Sequence, residues 1–152
     1  MSYLSDANNW IVAVTTLALV FGCVTLHFEV LGNSHRLLAA LSHRRRPRVL
    51  VLIIVILVTH VAEIWLFAFG YYLLARHGGF GALVGTPLVQ LPDYTWFSAV
   101  VYTTLGFGDV IPTGALRFMA GMEALTGIVM ITWSASFTFL EMARDWPDGR
   151  PR

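Results

Sequence analysis

Three long apolar runs dominate this chain and restrict what it can fold into. They extend over residues 10–31, 49–74 and 115–140. About 20 helical residues are enough to cross the hydrocarbon of a bilayer. With 57% apolar residues and a mean hydropathy of +0.68, the composition is typical of an integral membrane protein rather than a soluble domain. We therefore predict an all-α membrane protein with three transmembrane helices.

The arginines predict how these helices are oriented. The chain has no lysine, and of its 10 arginines only Arg76 and Arg117 lie on one side of the three runs. The positive-inside rule then assigns segment 32–48 and the C-terminus to the cytoplasm, and the N-terminus to the outside. The arginines nearest the second run either act only as this topology signal or also attract anionic lipid; they are Arg44, Arg45, Arg46 and Arg48. A net charge of +1 gives no indication of nucleic-acid binding.

The first apolar run could in principle be a cleaved signal peptide. However, the residues before it include Asp6 and no basic residue, and the run is longer than a typical signal core. We therefore expect an extra outer helix. Since it lacks periodic arginines, it is not expected to be a voltage sensor.

A short segment, Thr103-Thr104-Leu105-Gly106-Phe107-Gly108-Asp109, precedes the third run. A dehydrated potassium ion needs protein oxygens in place of its water shell, and backbone carbonyls pointing inward from several strands supply them. This arrangement needs a backbone that alternates in handedness, which Gly106 and Gly108 adopt at little cost. Thr104 can add a hydroxyl ligand, and Asp109 places a carboxylate at the outer mouth. The segment therefore predicts an ion selectivity filter.

This segment resembles the threonine-valine-glycine-tyrosine-glycine-aspartate signature of the tetrameric potassium channel pore-domain family. Trp96 matches the pore-helix tryptophan of that family, Arg117 a basic residue at the start of its inner helix, and Gly127 its gating-hinge glycine. The resemblance implies a homotetramer that conducts K⁺ passively. Its ion-binding residues would be Thr104, Leu105, Gly106, Phe107 and Gly108, with K⁺ held at the first four.

Three residues depart from the family pattern. Phe107 lacks the tyrosine hydroxyl that braces the filter, and Leu105 replaces the usual valine or isoleucine. Val100 stands where some members carry a carboxyl group that pairs with the aspartate at the mouth, so Asp109 would be held differently. These departures imply a softer filter and leave a weakly selective cation channel open.

The chain divides accordingly into residues 1–48, with the extra helix and a cytoplasmic arginine-rich loop, the pore domain 49–141, and a short cytoplasmic tail 142–152. Within the pore domain we expect an outer helix, a turret loop, a re-entrant pore helix capped by Asp93, the filter and an inner helix. Their respective ranges are 49–74, 75–92, 93–103, 104–109 and 115–141.

The inner helix carries two further predictions. Gly127 is either a gating hinge or a small residue that lets helices approach closely. By their offset from the filter, Ile128, Ile131, Ala135 and Phe139 should line an apolar cavity.

Ionisable residues inside the apolar runs need partners. His60 and Glu63 share a helix face and would form either a proton sensor or a structural lock between helices; two ligands alone are a weak metal signal. Glu123 is expected to support the filter, together with Trp96, or to pair with Arg117 or His60. His27 and Glu29 are placed near the cytoplasmic end, within reach of the interface.

The combined prediction is a potassium-selective channel subunit of a bacterial plasma membrane, with no enzymatic activity and no cofactor besides the transported ion. A non-conducting regulatory or scaffold subunit is the alternative from another class.

Overall fold

The structure of the chain is a computed structural model, which describes residues 7–41 and 45–145. Its elements, in chain order, are α1 (Ala7–Leu41), α2 (Arg45–His77), β1 (Leu83–Gly85), α3 (Leu91–Tyr102), β2 (Val110–Pro112) and α4 (Leu116–Asp145). Three helices are long and apolar enough to cross a membrane, over Ala7–Ser34, Arg48–His77 and Leu116–Arg144. The fold class is thus the predicted one. Arg44 and residues 146–152 of the expected tail lie outside the described residues.

The short helix α3 is enclosed between α2 and α4, and α1 packs on the outside against α2 and α4 of its own chain. Aromatic contacts fix α3 in place. Tyr71 of α2 meets Phe97 of α3 edge-on at 5.0 Å between ring centroids. Beside them Leu116 and Met119 of α4 are fully buried in the same core.

One face of α1 is buried and the opposite face is exposed to where lipid would lie. The buried residues recur every three, four or seven positions, as helical periodicity requires, and are Val12, Thr16, Cys23, His27, Leu31 and Ser34. The exposed stripe is apolar, with Trp10, Val14, Leu17, Phe21 and Phe28. A polar inner face and an apolar outer face are what a helix at the rim of a membrane bundle needs.

The prediction of a loop over residues 32–48 is wrong, because most of these residues are helical. Helix α1 continues to Leu41, and α2 begins at Arg45. Asn33 donates to the Glu29 carbonyl at 2.9 Å and Ser34 to the Leu31 carbonyl at 2.6 Å. These bonds satisfy the side chains within the helix, and the following leucines and alanines are strong helix formers.

The turret contains a small β-ribbon that was not predicted. Strands β1 and β2 pair antiparallel, with Leu83 opposite Pro112, Val84 opposite Ile111 and Gly85 opposite Val110. The ribbon connects the loop before α3 to the loop after the filter. Two elements far apart in sequence therefore meet next to Asp109, the residue predicted to lie at the outer mouth.

Helix α3 begins two residues earlier than predicted, and Asp93 is not its N-cap. Gln90 occupies the N-cap and Asp93 the N3 position of a capping box. The Asp93 carboxylate accepts hydrogen bonds from the backbone nitrogens of Gln90 and Val89, each at 2.8 Å. These backbone bonds, with Gln90 the larger contribution, hold the pKa of Asp93 below its ordinary value. Asp93 lies three residues after the N-cap, and a carboxylate at this N3 position can turn back to accept hydrogen bonds from the backbone at the start of the helix.

Candidate ion-conduction site

The segment from Thr103 to Asp109 leaves α3 through a Schellman motif, a common way for a helix to end. The backbone nitrogen of Leu105 donates to the Val100 carbonyl at 3.0 Å, and that of Thr104 to the Val101 carbonyl at 2.9 Å. This motif requires a left-handed residue at the position of Thr104, usually glycine. Thr104 has a φ of 60° and is the only non-glycine residue with positive φ in the described chain. The pore helix and the filter therefore form one continuous hydrogen-bonded unit.

The backbone beyond Thr104 alternates in handedness. Thr104, Gly106 and Gly108 have φ angles of 60°, 57° and 82°, while the residues between them have negative values. When left- and right-handed residues alternate, successive carbonyl groups turn toward one side of the strand and side chains toward the other. The conformation expected from the two glycines is present, and the left-handed Thr104 extends it by one residue.

The side chains of the filter are exposed in the isolated chain. Leu105 and Phe107 are 64% and 66% exposed. The Phe107 ring stacks on Trp96 of the same chain, with ring centroids 6.0 Å apart and planes 14° from parallel. Trp96 of α3, which was predicted to support the filter, therefore contacts Phe107. The Trp96 side chain remains 44% exposed.

The outer end of the filter is fastened to the turret. The carbonyl oxygen of Asp109 accepts a hydrogen bond from the Thr86 nitrogen at 3.0 Å. Gly85, with φ 128°, lies so close that a Cβ atom there would be 2.0 Å from the same oxygen. The backbone of Asp109 is therefore held by residues at the end of β1. Val100 lines an apolar cavity of about 360 Å³ behind Gly106 and Gly108.

Glu123 supports the pore helix rather than the filter itself. Its carboxylate accepts hydrogen bonds from the hydroxyl of Tyr71 on α2, at 2.7 Å, and from Ser98 on α3. Ser98 also lies 2.8 Å from the Ile64 carbonyl. Among the described residues, these are the partners of Glu123, and the pairings considered with Arg117 or His60 are wrong. The side chain is fully buried, so it joins three helices in the protein interior.

A second buried carboxylate, Glu63, lies at the other end of α3. Its Oε1 atom is 2.9 Å from Nδ1 of His27, and its Oε2 atom is 3.0 Å from Nδ1 of His60 and accepts a hydrogen bond from Tyr102. Ser134 completes the group, with its hydroxyl 3.1 Å from Nε2 of both histidines. We call these five residues the histidine cluster. It joins all four helices immediately below Thr103.

Sequence reasoning did not predict Tyr102 or Ser134 in this cluster, and it misplaced His27. It was placed near the interface, but it is fully buried and contacts Glu63 directly. The sequence did carry a signal for the burial of His27. It lies four residues after Cys23 and eleven after Thr16, so it falls on the same, polar side of α1. Glu29, on the other face, is exposed and within 3.2 Å of Asn33.

Gly127 lies where α4 crosses the end of α3. A Cβ atom at this position would be 2.0 Å from the carbonyl oxygen of Tyr102. Close approach of two backbones is thus one role of this glycine. The four residues predicted to line a cavity, Ile128, Ile131, Ala135 and Phe139, are exposed on the side of α4 that the isolated chain leaves uncovered.

Three membrane-spanning helices around a short helix that ends in a loop of alternating handedness define the class of pore-loop channels. A comparison with known families agrees: the family model described as "Ion channel" matches residues 49–143, more than half of the chain. The chain belongs to this family, the potassium channel pore-domain family that the filter segment resembles. It is a multi-pass membrane protein of a channel family, not of an enzyme family.

One curated relative is similar over the same region. It is a protein of Rhodopseudomonas palustris (strain ATCC BAA-98 / CGA009) named "Putative potassium channel protein RPA4233", 30% identical over 96 residues. The match covers 62% of this chain and 21% of the relative, so the chain spans about a fifth of that protein's length. No solved structure matches the chain.

Proposed function

We propose that four copies of this chain form a potassium-selective channel that conducts K⁺ passively. The ions would be held by the carbonyl oxygens of Thr104, Leu105, Gly106 and Phe107 and by the Thr104 hydroxyl, with Gly108 completing the filter and Asp109 at the outer mouth. The observation that carries this proposal is the left-handed backbone at Thr104, Gly106 and Gly108. Carbonyl groups turned to one side can replace the water shell of an ion.

Assembly is supported by the surfaces that the isolated chain leaves uncovered. An irregular backbone such as the filter is tolerated in a membrane only where protein or a water-filled cavity surrounds it. Here the apolar side chains of Leu105 and Phe107 remain more than half exposed beside it. Since each chain contributes one filter segment, other copies must enclose the pore, and four is the number that the family resemblance implies.

Phe107 favours a second candidate, a weakly selective cation channel. Its ring stacks on Trp96 but has no hydroxyl with which to hydrogen-bond to a pore helix. Selectivity depends in part on how the carbonyl ligands are held. A filter with one brace fewer would discriminate less between K⁺ and Na⁺.

We also propose a bacterial plasma membrane location with the N-terminus outside and the C-terminus in the cytoplasm. The unequal distribution of arginines supports this orientation. Arg44, Arg45, Arg46 and Arg48 would then face the anionic inner leaflet, where each gains about 1 kcal/mol.

Ion flux into liposomes that hold the purified tetramer tests the proposal. Wild type should pass K⁺ well above Na⁺, and Gly106→Ala should lose this flux. At φ 57° an alanine costs about 1–2 kcal/mol of backbone strain, and no neighbour within 4 Å adds a steric clash. Gly22→Ala, in the interior of α1 with equally open space, is the control and should leave flux unchanged.

The other outcomes separate the candidates. Equal flux of K⁺ and Na⁺ that is lost in Gly106→Ala would favour the weakly selective channel. Absence of flux from intact tetramers would favour a non-conducting regulatory or scaffold subunit.

A further inference from the structure

We propose that His27, His60 and Glu63 form a binding site for a divalent transition-metal ion of the zinc type. The site lies inside one chain, between α1 and α2, and does not depend on ion conduction. From sequence alone His60 and Glu63 lacked a third ligand. The structure supplies it from a different helix.

The ligand atoms already converge. One atom from each of the three side chains lies within 4.8 Å of the others. The two Nδ1 atoms are 2.9 and 3.0 Å from the two oxygens of Glu63. Ligand atoms about 2.0–2.1 Å from a tetrahedral Zn²⁺ ion lie about 3.3 Å apart. The two nitrogen–carboxylate distances would therefore lengthen by only a few tenths of an ångström on insertion of the ion.

Ser134 provides the outer contact that metal-binding histidines need. If both Nδ1 atoms bind the ion, each neutral imidazole carries its hydrogen on Nε2. Both Nε2 atoms are 3.1 Å from the Ser134 hydroxyl oxygen, which has two lone pairs and can accept both hydrogen bonds. Such contacts orient the rings and raise metal affinity. One serine on α4 thus holds two ligands from two other helices.

Tyr102 is placed to complete the coordination. Its hydroxyl oxygen is 3.0 Å from Nδ1 of His60 and hydrogen-bonds to Glu63. Two histidines and one carboxylate leave a fourth position open in zinc sites, filled elsewhere by water or substrate. The Tyr102 oxygen, or a water molecule beside it, occupies that position here.

An ion can reach the site from the side. His60 lines a largely apolar groove of about 830 Å³ between α2 and α4, and its side chain is 14% exposed while the other two ligands are fully buried. A bound ion would fasten α1 to α2. It would also replace the direct hydrogen bond between Glu63 and Tyr102, the last residue before the filter segment.

The test is metal binding by the full chain, purified as its oligomer and stripped with a chelator. Titration with Zn²⁺ alone should give one ion per chain. Cobalt(II) should give the visible absorption bands of a tetrahedral complex, and X-ray absorption of the zinc form should detect two imidazole nitrogens at about 2.0 Å. The matched control replaces His35, His43 and His77, the remaining histidines of the chain, with alanine and should bind as wild type does.

Two variants distinguish this site from a purely hydrogen-bonded lock. His27→Gln, which keeps a polar side chain, should lose the cobalt spectrum while the oligomer persists on size exclusion. Ser134→Ala keeps all ligands and should weaken affinity about 10- to 100-fold. Unchanged binding in His27→Gln, or an intact wild-type oligomer that binds no Zn²⁺, would overturn the proposal whether or not the protein conducts K⁺.

Discussion

Two carboxylates buried in the membrane hold the pore helix at two levels. Glu123 receives a hydrogen bond from Ser98, and Glu63 one from Tyr102, four residues further along α3. An ionised carboxylate in an apolar interior is costly unless hydrogen bonds and charges compensate for it. Each carboxylate here has donors from at least two helices. The residues of the pore helix nearest the filter are therefore fixed by hydrogen bonds to buried carboxyl groups, not by apolar packing alone.

We expect Glu123→Gln to destabilise the pore helix by about 1–3 kcal/mol, the range for a buried polar group that loses its hydrogen-bond partner. Tyr71 and Ser98 both donate to Glu123, so an amide would place its own donor against one of them. Thermal unfolding of the oligomer at several K⁺ concentrations measures this loss, and inactivation should change with it.

Glu29→Gln is the control for this change, because Glu29 is exposed and exposed substitutions are usually within about 0.5 kcal/mol. Identical unfolding and inactivation in Glu123→Gln and wild type would contradict the role given to this residue.

At the scale of single residues, the sequence predicted which side chains need partners. It predicted less well which residues those partners are. The pairing of His60 with Glu63 follows from spacing along one helix. His27, Tyr102 and Ser134 come from three other helices, and their meeting depends on how α1, α3 and α4 pack. Periodicity assigns a residue to a face of its helix but cannot state which helix covers that face.

Among the elements, the β-ribbon lies against the backbone of Asp109, at the proposed outer mouth. It could not be predicted, since three-residue strands carry no alternation and pair only through contacts distant in sequence. The helices were predicted because about 20 consecutive apolar residues have few alternatives. The ends of the helices were harder to predict, as the C-terminal end of α1 and the capping role of Asp93 show. Local hydrogen bonds determine where a helix begins and ends.

Gly85→Ala should disturb the outer mouth, because the added Cβ would meet the Asp109 carbonyl oxygen at 2.0 Å. We expect a loss of thermal stability of a few kcal/mol, in the range found for overpacked sites, together with weakened ion selectivity. Gly78→Ala isolates this contact: its φ is also positive, at 65°, but nothing lies within 4 Å. Equal effects of the two variants on stability and selectivity would show that the contact is unimportant.

Asp93→Asn should destabilise the start of α3 in a pH-dependent manner. The folded-state pKa of Asp93 is lowered by hydrogen bonds from the backbone of Gln90 and Val89. The ionised side chain therefore stabilises the fold above its ordinary pKa of 3.8, and this contribution is lost as the pH falls through the lowered folded-state value. Melting temperatures of wild type and Asp93→Asn should differ at neutral pH and converge in acid. A constant difference across this range would contradict the assignment.

For the molecule as a whole, the crossing of α4 over α3 links the inner helix to the filter. Gly127→Ala should lower the stability of the assembled protein, because the new methyl group would be 2.0 Å from the Tyr102 carbonyl oxygen. Gly121→Ala, on the same helix with open space around it, should be neutral or stabilising. Thermal unfolding of both variants is the measurement. Altered gating with unchanged stability in Gly127→Ala would instead favour the hinge.

The length of α1 sets how the molecule fits its membrane. Its 35 residues make a rod about 52 Å long, whereas the hydrocarbon layer is about 30 Å thick. Helix α2, with 33 residues, is nearly as long. Both helices are therefore longer than the hydrocarbon layer is thick. Because both helices exceed the thickness of the hydrocarbon layer, they can still span a bilayer that is several ångströms thicker. The lipid composition can therefore vary without breaking a helix.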